Sequence, residues 1–82
     1  MQKMHREDIF LPDINTVKEF VAFANGYDFP ITLYSDKYII NGKSIMGIFG
    51  LDLSQPLEIE VSDSYPEDFK EKLKNFKFVS QN

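Results

Sequence analysis

The chain has 82 residues, 43% of them apolar, with a net charge of −4 and no cysteine. That length predicts one domain over residues 1–82, burying only about 60% of the surface its unfolded form exposes. Without cysteine there is no disulfide framework or thiol nucleophile, and a zinc site would have only His5 and carboxylates to draw on, so no metal is expected. The acidic balance repels phosphate backbones and argues against nucleic acid. No apolar run approaches the roughly 20 residues of a membrane span or the 7 to 15 of a signal peptide, so the expected location is the cytoplasm.

His5 to Leu11 reads as a first strand, stopped by Pro12. Asp13 is placed as a helix N-cap. From it Ile14, Val17, Phe20, Val21 and Ala24 recur at three- and four-residue spacing, and Gly26 stands where a left-handed C-cap would end the helix. After Pro30, Ile31 to Tyr34 and Tyr38 to Asn41 are short β-rich runs joined by Ser35, Asp36 and Lys37, a hairpin pattern. Asn41-Gly42 makes the next turn, Ser44 to Leu51 a short helical segment, and Leu57 to Val61 a strand with Glu58 and Glu60 turned outward. Pro66 opens a last helix carrying Phe69, Leu73 and Phe76, while the carboxylates of Asp63, Glu67 and Asp68 suit a turn and a helix start. The order β-α-β-β-α-β-α predicts a two-layer α+β domain, with helices on one face of a mostly antiparallel sheet.

The short helical segment is apolar on two sides. At 100° per residue Ser44, Gly47, Ile48 and Leu51 cluster together, and Ile45, Met46 and Phe49 fall opposite. One side must face the sheet, so Ile45, Met46 and Phe49 form a candidate partner-binding patch unless a loop such as Ser54 to Pro56 covers Ile45 or Phe49. Gly47 and Gly50 belong to this helical segment and lack the lysine-serine ending of a phosphate-binding loop, so no nucleotide cofactor is implied.

The run Asn41-Gly42-Lys43-Ser44-Ile45-Met46-Gly47-Ile48-Phe49-Gly50-Leu51 resembles the second-helix signature of HPr proteins, the phosphocarriers of the bacterial sugar phosphotransferase system. The resemblance extends over about residues 5 to 75. It implies an open-faced sandwich of four antiparallel strands under three helices. In the family the phosphate rides on a histidine at the start of the first helix, within a Gly-(Leu/Ile)-His-Ala-Arg-Pro-Ala motif, 31 residues before the signature serine. Counting back 31 from Ser44 lands on Asp13, and Leu11-Pro12-Asp13-Ile14-Asn15-Thr16-Val17 then puts Asn15 at the family's arginine and Thr16 at its proline. The resemblance therefore implies a non-catalytic variant without the carrier histidine, retaining a good N-cap at Asp13.

Two phosphoryl-carrier alternatives stay open, an acyl phosphate on Asp13 and a relocated carrier at His5. Acyl-phosphate chemistry needs a metal or cationic clamp, and the nearest base, Lys18, lies a turn and a half along the helix. A further alternative is a degenerate HPr-fold interaction domain. Ser44 caps its helix in any of these readings. In HPr proteins of Gram-positive bacteria the matching serine is phosphorylated by an ATP-dependent kinase, and the product binds a transcriptional regulator. The resemblance so implies catabolite regulation through a phosphoserine at Ser44, with the HPr serine kinase, a transcriptional regulator or another phosphotransferase-system protein as partner.

Overall fold

The structure, a computed structural model, describes residues 3–62 and 64–78, which leaves Asp63 and the two termini outside the description. In chain order the elements are β1 (Met4–Ile9), α1 (Ile14–Asn25), β2 (Thr32–Tyr34), β3 (Ile39–Asn41), α2 (Ile45–Phe49), β4 (Leu57–Ser62) and α3 (Glu67–Leu73), the last followed by a single 3-10 turn, Lys74–Phe76. Four strands form one antiparallel sheet in the order β1-β4-β2-β3. The expected architecture, an open-faced sheet with three helices, is the one observed. No helix among the described residues is long and apolar enough to cross a membrane.

Alternation in the strands decides which face is covered. Leu57, Ile59 and Val61 of β4 are buried, as are Ile9 and Leu33, and against them pack Val17, Phe20 and Ala24 of α1, Ile48 of α2, and Phe69, Leu73 and Phe76 at the C-terminal end. Aromatic rings knit the helical layer, with Phe23 stacked on Phe69 at 5.0 Å and Phe20 edge-on to Phe76 at 5.3 Å. Burying this one layer is what holds such short helices in place, since isolated helices of 5 to 12 residues are marginal in water.

The opposite face carries an ion-pair network that links β1, β4 and β2. Arg6 reaches Glu60 at 2.6 Å and Glu58 at 3.1 Å, its guanidinium lies 4.6 Å from the Tyr34 ring centre, and the Tyr34 hydroxyl donates to Glu60 at 2.9 Å. The Tyr34 hydroxyl, and then Arg6, hold the Glu60 carboxyl below its ordinary range, and the same bond to Glu60 raises the Tyr34 hydroxyl. Glu58 and Glu60 thus turn outward as the alternation requires.

Several boundaries and contacts differ from the sequence reading. The first strand begins at Met4 and ends at Ile9, because beyond it Phe10 N–H donates to Phe76 C=O at 2.8 Å and the chain turns toward α1. Gly26 closes α1 with φ −76°, a right-handed conformation, so it is no left-handed cap: its N–H instead reaches back to Phe23 C=O at 3.1 Å. Ile14 continues the apolar period of α1 yet is 60% exposed. The short helical segment contracts to Ile45–Phe49, with Ser44 as cap and Gly50 as the closing residue.

Candidate functional site

At the start of α1, Asp13 adopts an extended backbone, φ −144° and ψ 171°, and acts as the expected N-cap. Its Oδ1 accepts from the Thr16 backbone N–H at 2.8 Å and from the Thr16 hydroxyl at 2.9 Å. Those two bonds, the backbone one first, hold the carboxyl below the usual aspartate range, so Asp13 is a fixed negative charge on the helix N-terminus. Asn15 is exposed on the same turn, and Thr16 supplies the capping donors. None of the ion pairs among the described residues reaches Asp13, and no group of three or more His, Cys, Asp or Glu gathers where a metal could sit.

His5, the single histidine of the chain, lies in β1. Its Nε2 is 2.6 Å from Glu7 Oε2, and its ring meets Tyr65 edge-on at 5.4 Å. The ring is part-buried between a carboxylate and a phenol, and it belongs to neither helix start.

The second helix start is built around Ser44, whose Oγ accepts from Gly47 N–H at 3.2 Å while its C=O accepts from Ile48 N–H at 3.1 Å. The approach to it is clamped. Asn41 Oδ1 accepts from Lys43 N–H at 2.9 Å, Asn25 Nδ2 donates to the C=O of Val21 and Lys43 at 2.9 and 3.2 Å, and Lys43 Nζ donates to Tyr27 C=O at 2.6 Å. Asn25 is the last residue of α1 and Asp13 its cap, so the twelve-residue helix, rising about 18 Å, keeps the clamp at the end opposite Asp13. Asp13 with Asn15, Ser44 with its helix, and His5 are therefore three separate places.

Of the expected patch, Met46 is 77% exposed and Phe49 39% exposed, and these two form the solvent side of α2. Ile48 is wholly buried and anchors the helix. Ile45 departs from the expectation, because it is half-buried and packs against the core. A helix of five residues has no long far side, and its first residue leans back over the turn that precedes it. Ile45 packs against the core cluster from this position. Sequence reasoning missed Asn25 and Lys43 as the clamp of α2, and the only local hint was a polar residue ending α1.

Two capped helix starts over an antiparallel open sheet define a protein of the phosphocarrier-sandwich class. Residues 14–77 match the family described as the PTS HPr component phosphorylation site, and the chain belongs to this HPr family of the phosphotransferase system. Among solved structures it is similar to the phosphocarrier protein HPr from Bacillus anthracis str. Ames, at 25% identity and TM-score 0.67, with 94% of this chain and 98% of that one covered. It also shares its fold with HPr-C-His from Thermoanaerobacter tengcongensis, at 23% identity and TM-score 0.62, covering 89% and 88%. No curated protein matches the chain in sequence. Family members are phosphocarriers rather than enzymes proper, and they work with other proteins of that system.

Proposed function

We propose that this chain is a regulatory or binding member of the HPr family that carries no phosphoryl group on histidine, engages protein partners through Met46 and Phe49 with Ile45 at their flank, and is switched by phosphorylation of Ser44. It acts in the cytoplasm as one domain over residues 1–82, with the HPr serine kinase and a transcriptional regulator, or another protein of the system, as partners.

The observation that carries this reading is the cap of α1: an aspartate already bonded to Thr16 stands where the gapless count from Ser44 puts the family's histidine, with Asn15 at the family's arginine. A carrier there would need a nucleophilic nitrogen and a cation to receive the transferred charge. Asp13 offers a depressed carboxyl that repels a phosphoryl donor, and His5 stands in β1 with Nε2 taken up by Glu7. At Ser44 the chemistry is favourable, because a phosphate brings about two negative charges and acceptor oxygens that can keep the Gly47 N–H bonded. Those charges would arise beside Met46 and Phe49, changing what the patch accepts.

The test is intact-mass spectrometry after incubation with ATP and the HPr serine kinase. One added phosphate, absent in Ser44→Ala, is the expected result, together with loss of regulator binding in Met46→Asp. An unmodified chain whose partner also binds Met46→Asp equally well would overturn the switch and the patch, leaving the degenerate interaction domain.

A further inference from the structure

The two edges of the sheet are finished differently. On the β1 side the C-terminal segment pairs along the strand, with Phe78 N–H donating to Asp8 C=O at 3.0 Å, Phe10 N–H to Phe76 C=O at 2.8 Å, and Ile9 bridged to Lys77. Nothing among the described residues covers β3 in that way, and its Ile39 is 70% exposed. An open edge with an exposed β-branched residue is a template for another strand.

The phase of the free edge follows from the hairpin. Ser35 N–H donates to Tyr38 C=O at 2.9 Å and Gly42 N–H to Ile31 C=O at 2.7 Å, so Tyr38, Ile40 and Gly42 turn their backbones toward β2. Ile39 and Asn41 therefore direct theirs outward. The Asn41 C=O is already taken by Ser44 N–H at 3.0 Å, which leaves the Ile39 pair as the centre of the edge.

We infer that β3 pairs antiparallel with β3 of a second copy of this chain, about a twofold axis through Ile39, joining two four-stranded sheets edge to edge. Ile39 N–H and C=O are exchanged with their own counterparts, and the two Ile39 side chains meet on the open face. In this register Lys37 lies opposite Asn41 of the second copy. Beside Asn41 is a trough of about 500 Å³, lined among others by Asp28, Thr32, Ile39, Asn41 and Lys43, the last with its Nζ donating to Tyr27 C=O at 2.6 Å, which leaves Asp28 as the acceptor open to a second cation. Asp28 and Lys37 are both exposed and make no ion pair among the described residues, so the twofold brings Lys37 of each copy to the trough that holds Asp28 of the other. A register in which Ile39 faces Asn41 would set Lys37 against Lys43 and is disfavoured by like charge. This complementarity selects a second copy as the occupant over an extended peptide of another protein. A three-residue edge buries less than the roughly 1,200 Å² of a stable complex, so the dimer is weak and forms at high concentration.

Sedimentation equilibrium of the full chain into the millimolar range tests this. A monomer–dimer equilibrium is expected, lost in Ile39→Lys and weakened about tenfold or more in Lys37→Glu. The double variant Asp28→Lys with Lys37→Glu restores it. Neither Ile39 nor Lys37 is buried, and the Ile39 backbone makes no bond to β2, so far-UV circular dichroism and the melting temperature stay unchanged in each variant. A monomer at the highest concentration, as an edge reserved for a foreign peptide would give, overturns the inference. So does a dimer that Ile39→Lys leaves intact or that the charge exchange fails to restore.

Discussion

Replacing Ile48 by alanine isolates what holds the second helix start in place. Ile48 is the only buried residue of α2 and is wholly inaccessible, while its neighbour Met46 is 77% exposed. Truncating a buried isoleucine to alanine costs about 2–5 kcal/mol, the transfer of the lost carbons plus the cavity left behind. Five helical residues cannot sustain themselves, so the site has little means of collapsing onto the gap, and about 3 kcal/mol is expected. At roughly 4–8 °C per kcal/mol for a domain of this size, the melting temperature should fall by about 12–24 °C. Met46→Ala, by contrast, should change stability by less than about 0.5 kcal/mol. Urea titration followed by circular dichroism gives both values. Hydrogen exchange adds the local one: the Gly50 and Leu51 amides, bonded to Gly47 C=O at 3.2 Å and Ile48 C=O at 3.0 Å, should lose protection first in Ile48→Ala. A loss below about 1 kcal/mol for Ile48→Ala would refute the idea that burial of this one side chain fixes the Ser44 helix.

Gly42→Ala should destabilise by about 2 kcal/mol, because a Cβ there would come within 2.8 Å of buried Ile31 Cγ2 and 3.1 Å of Ile31 C=O, so backbone as well as side chain must shift; a melting temperature equal to wild type would refute the crowding. Asp13→Asn should keep most of the stability that Asp13→Ala loses, since asparagine caps nearly as well; equal loss in both would show that charge rather than capping matters. The acid limb of stability should carry the mark of Glu60. Its folded pKa is depressed, so its contribution is complete above the ordinary glutamate value and fades as pH falls through the folded one. Urea midpoints measured from about pH 6 to about pH 3 should decline less steeply in Tyr34→Phe, which removes the largest cause of the depression; parallel curves would count against the network.

What could be read in the sequence was whatever depends on near neighbours. The N-caps at Asp13 and Ser44 were legible because a cap is made by a side chain and an amide three residues on, Thr16 and Gly47. The core face of α1 followed from spacing at Val17, Phe20 and Ala24, and failed at Ile14 because spacing gives the side of a helix a residue lies on and not whether anything packs over it. The half-burial of Ile45 is not settled by a helical wheel, which supposes a longer cylinder than five residues provide. Gly26 reads as a left-handed cap yet has right-handed φ, and Gly42 of the Asn41-Gly42 turn has no positive φ either, its need being room beside Ile31. The Arg6 network was out of reach, because Arg6 and Glu60 are 54 residues apart and meet only through the β1–β4 register. The clamp of Asn25 on Lys43 spans 18 residues and is hidden in the same way.

The central claim is that this HPr-family chain carries no phosphoryl group from phosphoenolpyruvate. Intact-mass spectrometry after incubation with phosphoenolpyruvate and the general phosphotransferase enzyme tests it most directly. An unchanged mass is expected, with Asp13 bonded to Thr16 and His5 paired with Glu7 both failing to accept the group. One added phosphate, lost in Asp13→Ala or in His5→Ala, would contradict the account and make this chain a carrier.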